Sequence, residues 1–285
     1  MTTPTLRQFL KMSGLLLAGL VLAACSKQGG GESGGAASAP TAAAPAAAPN
    51  KVYVVGTDAA YAPFESQNEK GEIVGFDIDV VNAVAKKAGI EVKFVNTPWE
   101  GIFNNLQQGD RDLLVSAITI TDERKQTVDF SEPYFDAQQL IAVKQGSKVA
   151  KFADLKPLKV GVQNGTTGDE VVSKLLGKTN TNIKRFESTP LALKELEAGG
   201  VDAVVADNGV VVNYVANNAA AGFKTVSDPS FAQEHYGIAV RQGDAELKGK
   251  IDKALAAIKA DGSYAQIYAK YFGAQPIAAA AAASK

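Results

Sequence analysis

Residues 51–273 alternate between two kinds of apolar segment, and this alternation restricts the chain to few architectures. Short apolar runs predict β-strands at Lys51–Val55, Val92–Val95, Asp112–Ser116, Lys159–Val162 and Asp202–Ala206. Segments with a helical spacing of apolar residues lie between these runs. Strands that alternate with helices predict an α/β fold with mainly parallel sheets, whose ligands bind beyond the carboxyl ends of the strands.

The helical segments end at recognisable residues. Phe76–Ala88 carries an apolar stripe and stops at Gly89, and Leu191–Ala198 stops before a pair of glycines. Glycine is common just after the end of a helix because it adopts the left-handed conformation at little cost. A third helical segment carries a mainly aromatic stripe, made of Tyr264, Ile267, Tyr268, Tyr271 and Phe272. We interpret this stripe as core packing and not as a platform for a ligand.

Two shifts in composition, at residues 138–146 and 233–237, enclose a second set of strands and helices. Such an arrangement predicts two lobes joined by two extended crossings, with the hinge at the crossings and a ligand in the cleft between the lobes. We expect residues 51–135 and 236–273 to form lobe 1, and residues 139–232 to form lobe 2. We also expect a monomer.

The first 24 residues have the features of a secretory signal peptide. Two basic residues precede an apolar run from Met12 to Leu22, and two alanines follow it. The run is too short to span a bilayer comfortably. Residues 26–50 are mainly Gly, Ala, Ser and Pro, which predicts a disordered tether over residues 25–50. We expect residues 274–285 to be disordered too.

Cys25 is the only cysteine in the sequence, which excludes an intrachain disulfide. Leu22-Ala23-Ala24-Cys25 resembles the lipobox of bacterial lipoproteins, whose cysteine carries a diacylglycerol. This resemblance implies lipidation of Cys25 and attachment to a membrane through the lipid, at its periplasmic or extracytoplasmic face. The alternative is a small apolar residue without a special role in an ordinary signal peptide.

Charge and residue content exclude several classes of partner. The 29 basic residues nearly balance the 30 acidic ones, and the sequence has no basic stretch of the kind that binds nucleic acid. The body has a single histidine, His235, no cysteine and no clustered metal ligands. We therefore predict no metal, no other cofactor and no catalytic residue.

Polar residues after the predicted strands are candidates for ligand contacts. Arg124 ends a Ser/Thr-rich segment, 116–124, that leaves a strand, and a guanidinium can bind both oxygens of a carboxylate. The loop 161–169 leads from a strand into a helix start, where backbone N–H groups and the hydroxyl of Thr166 or Thr167 attract an anion. The alternatives are a solvated surface arginine and a threonine that only caps the helix.

A second group of residues suits a positively charged ligand group. Asp207 follows the strand Asp202–Ala206, where it either faces the cleft or caps the next helix. Asp58 and Tyr61 follow the first strand, and Trp99 follows the second. Aromatic faces favour a cation beside them. Core packing is the competing interpretation for Trp99, the only tryptophan.

Four motifs together resemble the polar amino-acid substrate-binding proteins of ABC importers. The motifs are Gly56-Thr57-Asp58 with Tyr61-Ala62-Pro63-Phe64-Glu65, Gly75-Phe76-Asp77-Ile78-Asp79, Ile118-Thr119-Ile120-Thr121-Asp122-Glu123-Arg124 and Asp129-Phe130-Ser131-Glu132-Pro133-Tyr134. The resemblance extends over about residues 51–273. It implies the periplasmic-binding-protein type II fold, with two α/β lobes and a two-strand hinge that close over a free L-amino acid. It also implies an ABC importer permease as partner.

The resemblance assigns roles to individual residues. Arg124 would hold the ligand carboxylate, assisted by Thr119 and the backbone of Thr167. Asp207 would hold the ammonium group, with Thr119 and the Ala117 carbonyl. Tyr61 and Trp99 would flank the side chain, and Asp58 and Gln163 would meet its far end. The complete predicted site is Asp58, Tyr61, Trp99, Ser116, Ala117, Thr119, Arg124, Gln163, Thr166, Thr167 and Asp207.

One departure from the family pattern bears on specificity. Glutamine-binding members have a lysine at the position of Gln163 and a histidine at that of Ala206. Without the lysine, the Asp58 carboxylate lacks a compensating charge, which favours a ligand with a cationic side chain. The loop 161–168 is also similar to that of members that bind arginine, lysine or histidine. We predict a basic amino acid, with glutamine or another polar amino acid as the alternative.

A rival from another class is an enzyme on the same fold, of the cyclohexadienyl dehydratase type. Its acid and base would have to be Asp or Glu residues. We expect His235, at the predicted hinge, to pack or hydrogen-bond and not to catalyse.

Overall fold

The structure, a computed structural model, describes residues 51–273. The predictions for the signal peptide, for Cys25, for the tether and for the residues after 273 lie outside this range. No helix between residues 51 and 273 combines the length and the apolar character needed to cross a bilayer.

Helices and strands alternate through the described residues, as the sequence predicts. The helices are α1 (Phe76–Ala88), α2 (Ile102–Gln108), α3 (Thr167–Leu176), α4 (Thr189–Ala198), α5 (Asn208–Asn217), α6 (Ala245–Ala260) and α7 (Ser263–Phe272). Short 3-10 helices lie at Arg124–Gln126, Phe152–Leu155 and Ala219–Ala221. The strands are β1 (Val52–Thr57), β2 (Ala60–Tyr61), β3 (Glu65–Gln67), β4 (Ile73–Val74), β5 (Glu91–Asn96), β6 (Leu113–Leu114), β7 (Val128–Phe130), β8 (Phe135–Lys144), β9 (Val160–Gln163), β10 (Ile183–Phe186), β11 (Ala203–Asp207), β12 (Phe223–Val226), β13 (Gln233–Tyr236) and β14 (Ala239–Arg241).

Two helices test the predicted helix limits. Helix α1 has the predicted bounds, and Gly89 ends it in the left-handed conformation at φ 65°. Helix α4 begins two residues before the predicted Leu191, because the Ser188 hydroxyl accepts a hydrogen bond from the Leu191 N–H and proline occupies the first turn. Capping chemistry thus places the start of this helix upstream of its apolar stripe.

Two mixed sheets form the two lobes. One has the order β5-β1-β6-β14-β7 and the other contains β10-β9-β11-β8-β12, with a small separate sheet β2-β3-β4 beside them. Strands β5, β1 and β6 are parallel, as are β10, β9 and β11. Strands β14 and β8 run antiparallel to their neighbours. Each sheet thus has one reversed strand among strands that share a direction, so the prediction of mainly parallel sheets is confirmed, with β14 and β8 as the exceptions.

Strands β8 and β13 form the connection between the lobes. They pair antiparallel from Phe135 with Tyr236 to Gln138 with Gln233. Strand β8 then continues into the second sheet, where Gln139 pairs with Asp207 of β11. The connection thus has the two extended crossings expected of the hinge, while the exact limits of the two lobes stay a prediction.

Helix α7 packs its aromatic stripe into the core of lobe 1. The Phe76 ring is fully buried and lies 6.0 Å from the Tyr264 ring and 5.1 Å from the Phe272 ring, centroid to centroid. Tyr268 and Tyr271 contact the same ring. The interpretation of this stripe as core packing is confirmed.

Strand β6 is shorter than predicted. Its ladder covers only Leu113–Leu114 and not Asp112–Ser116. The Asp112 side chain instead accepts a hydrogen bond from the Val54 N–H at 2.8 Å, and Ala117 adopts a positive φ of 46°. The chain therefore turns out of the sheet after Val115, and this turn carries the polar residues that follow into the cleft.

Gly75, the residue before α1, tolerates no side chain. It has φ 146°, and a Cβ atom would lie 2.0 Å from the Phe64 carbonyl oxygen. We predict that Gly75→Ala lowers the free energy of unfolding by at least about 3 kcal/mol, through backbone strain and steric overlap. Gly249→Ala is the matched control, because Gly249 lies within α6 with nothing near its Cβ position. This control should raise stability by about 1 kcal/mol. Urea unfolding measures both, and equal stability of Gly75→Ala and wild type would contradict the prediction.

Candidate functional site

A cavity of about 340 Å³, partly open to solvent, lies where the two lobes meet. The structure brings all the predicted site residues together around it. Its lining is Asp58, Tyr61, Trp99, Ser116, Ala117, Thr119, Arg124, Gln163, Thr166, Thr167 and Asp207. Their role in binding a ligand stays a prediction.

The strands place these residues at one edge of each sheet. Asp58 follows β1, and Ser116 lies just beyond β6. Gln163 and Asp207 are the last residues of β9 and β11. Because these strands are parallel within each sheet, their carboxyl ends point the same way and deliver polar groups to the same cleft.

Arg124 brings a cation without a carboxylate partner into the cavity. Its guanidinium donates one hydrogen bond to the Thr119 carbonyl at 2.8 Å and lies 5.2 Å from the Trp99 ring and 5.5 Å from the Phe103 ring. No carboxylate of residues 51–273 lies within 4.0 Å of it. Burial lowers the pKa of Arg124, while the negative charges of Glu170 and Asp207 act in the opposite direction. The guanidinium is thus fixed in place with donors left for an anion.

The N-terminus of α3 adds further free donors. The Thr166 hydroxyl accepts a hydrogen bond from the Asp169 N–H, so the capping interpretation holds for Thr166. The backbone N–H groups of Thr167 and Gly168 donate to no other group of the described chain. Both residues are buried. Thr167 and Arg124 line the same cavity, so a helix N-terminus and a guanidinium, both of which attract anions, meet there.

Asp207 supplies a buried negative charge. Its carboxylate accepts hydrogen bonds from the Gln139 amide at 2.5 Å and from the Tyr236 hydroxyl at 2.6 Å. Although Asp207 precedes α5, its side chain makes no capping hydrogen bond, so the capping interpretation is wrong here. Burial and the nearby charge of Glu234 raise the pKa of Asp207 to about 6, while hydrogen bonds from Tyr236 and Gln139 limit the rise.

The cavity lining also contains a second carboxylate, Asp58, and two aromatic side chains. Asp58 is half-buried and has no cationic partner among residues 51–273. Burial raises its pKa, opposed by hydrogen bonds from Trp99 and Gln163. Trp99 is half-buried and packs edge-to-face on Phe103 at 5.8 Å, so it both packs and lines the cavity. Tyr61, at the end of β2, also lines the cavity.

Glu234 of β13 is a functional candidate that the sequence analysis missed. Its carboxylate accepts hydrogen bonds from the hydroxyls of Thr119 at 2.6 Å and Thr167 at 2.9 Å, and from the Gln139 amide at 2.9 Å. Thr119 belongs to lobe 1 and Thr167 to lobe 2, so one hinge residue connects both lobes. Side chains alternate between the two faces of a strand, so Glu234 of β13 turns inward where His235 turns outward. This alternation could have identified Glu234 from the sequence.

His235 lies on the outer side of the same strand. It is exposed, and its Nδ1 is 2.7 Å from an Asp136 carboxylate oxygen. It does not belong to the cavity lining. Among residues 51–273, no cluster of three or more His, Cys, Asp or Glu side chains has an arrangement that could hold a metal ion.

Comparisons with known proteins converge on one family. The family "Bacterial extracellular solute-binding proteins, family 3" matches residues 53–274. A probable histidine-binding protein of Neisseria gonorrhoeae is 50% identical over 225 residues, which cover 79% of this chain and 84% of that protein. An ABC transporter arginine-binding protein of Escherichia coli is 35% identical over 219 residues, which cover 76% of this chain and 89% of that protein.

A solved structure shows the same fold. The arginine-, lysine- and histidine-binding protein ArtJ of Geobacillus stearothermophilus superposes with a TM-score of 0.77 at 49% sequence identity. The superposition covers 80% of this chain and 97% of that one. The predicted type II periplasmic-binding-protein fold is thereby confirmed.

The raised pKa of Asp207 makes the stability of the empty protein depend on pH. A folded-state pKa of about 6, against 3.8, stabilises the fold fully below pH 3.8, and this contribution is lost as the pH rises through 6. We predict that the stability difference between wild type and Asp207→Asn shifts by about 2 kcal/mol, to the disadvantage of wild type, between pH 4 and pH 7. Urea unfolding of ligand-free protein measures it. Asp122→Asn is the exposed control and should show no such shift. A pH-independent difference for Asp207→Asn would contradict the prediction.

Proposed function

Because this chain belongs to family 3 of the bacterial extracellular solute-binding proteins, we propose that it captures a basic amino acid outside the cytoplasmic membrane and presents it to an ABC importer. One observation carries the proposal. A guanidinium without a carboxylate partner and a buried carboxylate, Arg124 and Asp207, line the same cavity from different lobes. A free amino acid is a zwitterion, and its two charged main-chain groups match this pair.

The α-carboxylate of the ligand binds at Arg124. The guanidinium fork offers two parallel donors, and the N–H groups of Thr167 and Gly168 add donors from the other lobe. Thr119 serves both main-chain groups of the ligand. Its carbonyl orients Arg124 for the carboxylate, and its hydroxyl accepts from the ammonium group. Hydrogen bonds to a charged group in a water-poor site are stronger than those between neutral groups.

The α-ammonium group binds at Asp207. Three acceptors complete its shell: the Asp207 carboxylate, the Thr119 hydroxyl and the Ala117 carbonyl. A carboxylate with a pKa of about 6 is mainly ionised at neutral pH, and a bound ammonium group lowers that pKa further. Ligand binding thus relieves the cost of burying this charge.

The charges in and beside the cavity favour a cationic side chain. Asp58, Asp207 and Glu234 are acidic, whereas Arg124 is the cation of this site. The ligand's main-chain ammonium and carboxylate cancel, so a neutral ligand leaves the acidic excess uncompensated. A side chain with a positive charge reduces it, between the faces of Tyr61 and Trp99 and opposite Asp58. Glutamine is the second candidate ligand.

Ligand binding favours the closed arrangement of the lobes. Arg124 belongs to lobe 1 and Asp207 to lobe 2, so both reach one ligand only when the lobes are together. A ligand shifts a conformational equilibrium by its difference in affinity for the two states. The importer permease then recognises the closed, loaded form.

A lipid on Cys25 retains the protein at the membrane surface in this proposal. The sequence around Cys25 resembles a lipobox, and the Gly/Ala/Pro-rich residues 26–50 give the folded body room to move. The two acyl chains of a diacylglycerol suffice for stable anchoring, and the long tether keeps the binding protein near its permease without immobilising it.

An enzymatic role on this scaffold is the second candidate. It is favoured by one observation, the buried carboxyl of Asp207 with a pKa of about 6, which is the range in which a general acid or base works. Assays of prephenate and arogenate turnover decide this question. Turnover that disappears in Asp207→Asn would replace transport as the assigned function.

Arg124 should be indispensable for binding. A thermal-shift screen of ligand-stripped protein against the common amino acids identifies the ligand, which at a hundred times its Kd adds about 2.7 kcal/mol of stability. We predict that Arg124→Ala weakens binding of that ligand at least about a hundredfold, because the carboxylate loses a buried charged partner. Lys125→Ala, an exposed neighbour, is the control and should bind like wild type. Full affinity in Arg124→Ala would remove Arg124 from the site.

Asp58 should set the preference for a cation. We predict that Asp58→Asn weakens binding of L-arginine about 10- to 100-fold, the value of a hydrogen bond to a charged group, and changes binding of L-glutamine far less. Isothermal titration calorimetry measures both ligands. The exposed Asp110→Asn serves as control. An equal loss for both ligands, or a wild type that binds glutamine and none of arginine, lysine and histidine, would contradict the assigned specificity.

Lipid attachment has its own test. We predict that Cys25→Ser moves the protein from the membrane fraction to the soluble fraction, because serine cannot carry the thioether-linked lipid. Ser26→Ala is the matched control and should stay with the membranes. Recovery of wild type in the soluble fraction would refute the anchor.

A further inference from the structure

Two carboxyl groups lie beneath the cavity without any cation. Glu65 and Asp77 are completely buried, with 0% exposure each. No lysine, arginine or histidine of the described chain lies within ion-pair distance of either. A buried carboxylate without a cation or enough donors is costly, so this pair calls for an explanation.

Each of the two carboxyl groups has one buried oxygen without a hydrogen-bond partner among residues 51–273. Glu65 Oε2 and Asp77 Oδ1 are buried and receive no hydrogen bond from an N–H or hydroxyl group of residues 51–273. The side chains of Glu65 and Asp77 are hydrogen-bond neighbours of each other. Two facing acceptors repel unless one carries a proton. A single shared proton satisfies both oxygens and removes one of the two charges.

The remaining oxygens hold the turn that lines the cavity. Glu65 Oε1 accepts a hydrogen bond from the Ser116 hydroxyl at 2.9 Å. Asp77 Oδ2 accepts from the Ala117 N–H at 2.7 Å and from the Tyr134 hydroxyl at 2.8 Å. Ser116 Oγ in turn accepts from the Asp58 N–H at 3.0 Å. The pair is therefore bonded directly to Ser116 and Ala117, and through Ser116 to Asp58.

The turn at Ala117 needs such support. Within residues 51–273, Ala117 is the one residue other than glycine with a positive φ, at 46°. A side chain in this conformation costs free energy and persists only where the surroundings hold it. The Asp77 carboxylate holds the Ala117 N–H, so it fixes the backbone whose carbonyl faces the proposed ammonium position.

The surroundings of the pair decide which carboxyl carries the proton. The titratable groups that act on it, Asp58, Tyr61, Tyr134 and Tyr264, are all acids. Burial raises the pKa of Asp77 to about 6, and hydrogen bonds from Ala117 and Tyr134 limit the rise. Burial and the charge of Asp77 raise the pKa of Glu65 well above its ordinary value. Asp77 is thus the acceptor and Glu65 the protonated partner at neutral pH.

We propose that Glu65 and Asp77 share one proton and act as a positioning pair that holds Ser116, Ala117 and Asp58 in the geometry required for ligand binding. Neither carboxyl lines the cavity, so they act on the ligand through these residues. The effect on the ligand rests on the function proposed above, whereas the shared proton does not.

Infrared spectroscopy tests the shared proton without a ligand. Wild-type protein at pH 8 in D₂O should show the C=O stretching band of a protonated carboxylic acid, since Asp207 is ionised at that pH. The band should be missing in Glu65→Gln. The exposed Glu100→Gln is the matched control and should retain it. Absence of the band from the wild type would overturn the proposal, whatever the protein binds.

Affinity for L-arginine tests the positioning role. Glu65→Gln keeps an oxygen that accepts from Ser116 and an NH₂ group that donates to Asp77, so its Kd at pH 7 should stay within about threefold of wild type. Glu65→Ala loses both bonds and should bind at least about tenfold more weakly. Loss of affinity in Glu65→Gln equal to that in Glu65→Ala, or full affinity in Glu65→Ala, would overturn the role.

The pH profile separates positioning from a purely structural contribution. In wild type, loss of the shared proton at alkaline pH leaves two adjacent negative charges that disturb the turn, so the Kd should rise toward high pH. Glu65→Gln cannot lose a proton and should have a flatter profile. This comparison holds even if Glu65→Ala fails to fold. Identical profiles would contradict the proposal, while a wild type that binds no basic amino acid at any pH would count against the proposed function alone.

Discussion

The cavity is organised by charges that the protein alone does not neutralise. Among residues 51–273, Arg124 has no carboxylate partner, and the hydrogen-bond donors to the buried Asp207 carboxylate are neutral. Keeping such groups away from water is unfavourable, and a ligand with complementary charges would relieve that cost. The rest of the architecture serves this arrangement: parallel strands deliver the groups to facing sheet edges, and the hinge strands bring the edges together.

Much of this arrangement is visible in the sequence because it is local. The apolar stripe and the terminal glycine specify α1, and the residues after each strand specify the cavity lining. The prediction failed where a side-chain contact overrides a β-pattern, as at Asp112. It also did not identify the single reversed strand of each sheet, β8 and β14, because strand direction depends on tertiary connections. The family resemblance supplied the roles of individual side chains, which spacing alone left open for Arg124 and Asp207.

The residues that the sequence analysis missed share one property. Glu65, Asp77 and Glu234 are carboxyl groups whose partners lie far away in the chain: Glu65 bonds Ser116, and Glu234 bonds Thr119. Strand alternation could at most turn Glu234 inward, and no periodicity identifies Glu65 or Asp77, because the roles of all three depend on which donors the fold places opposite. In sequence they look like ordinary acidic residues of a short strand, of a helix start and of a hinge. An acidic residue within a family motif should therefore be considered as a buried group that needs a hydrogen-bond donor, and not only as a surface charge.

Strand β8 has a mechanical consequence. Its first residues pair with β13, and its later residues lie inside the second sheet between β11 and β12. Residues 135–138 of this ten-residue strand pair on one side only, with β13, whereas residues 141–143 pair with β11 and β12 on both sides. Deforming the singly paired part breaks fewer ladder bonds, so a relative rotation of the lobes meets least resistance at residues 135–138.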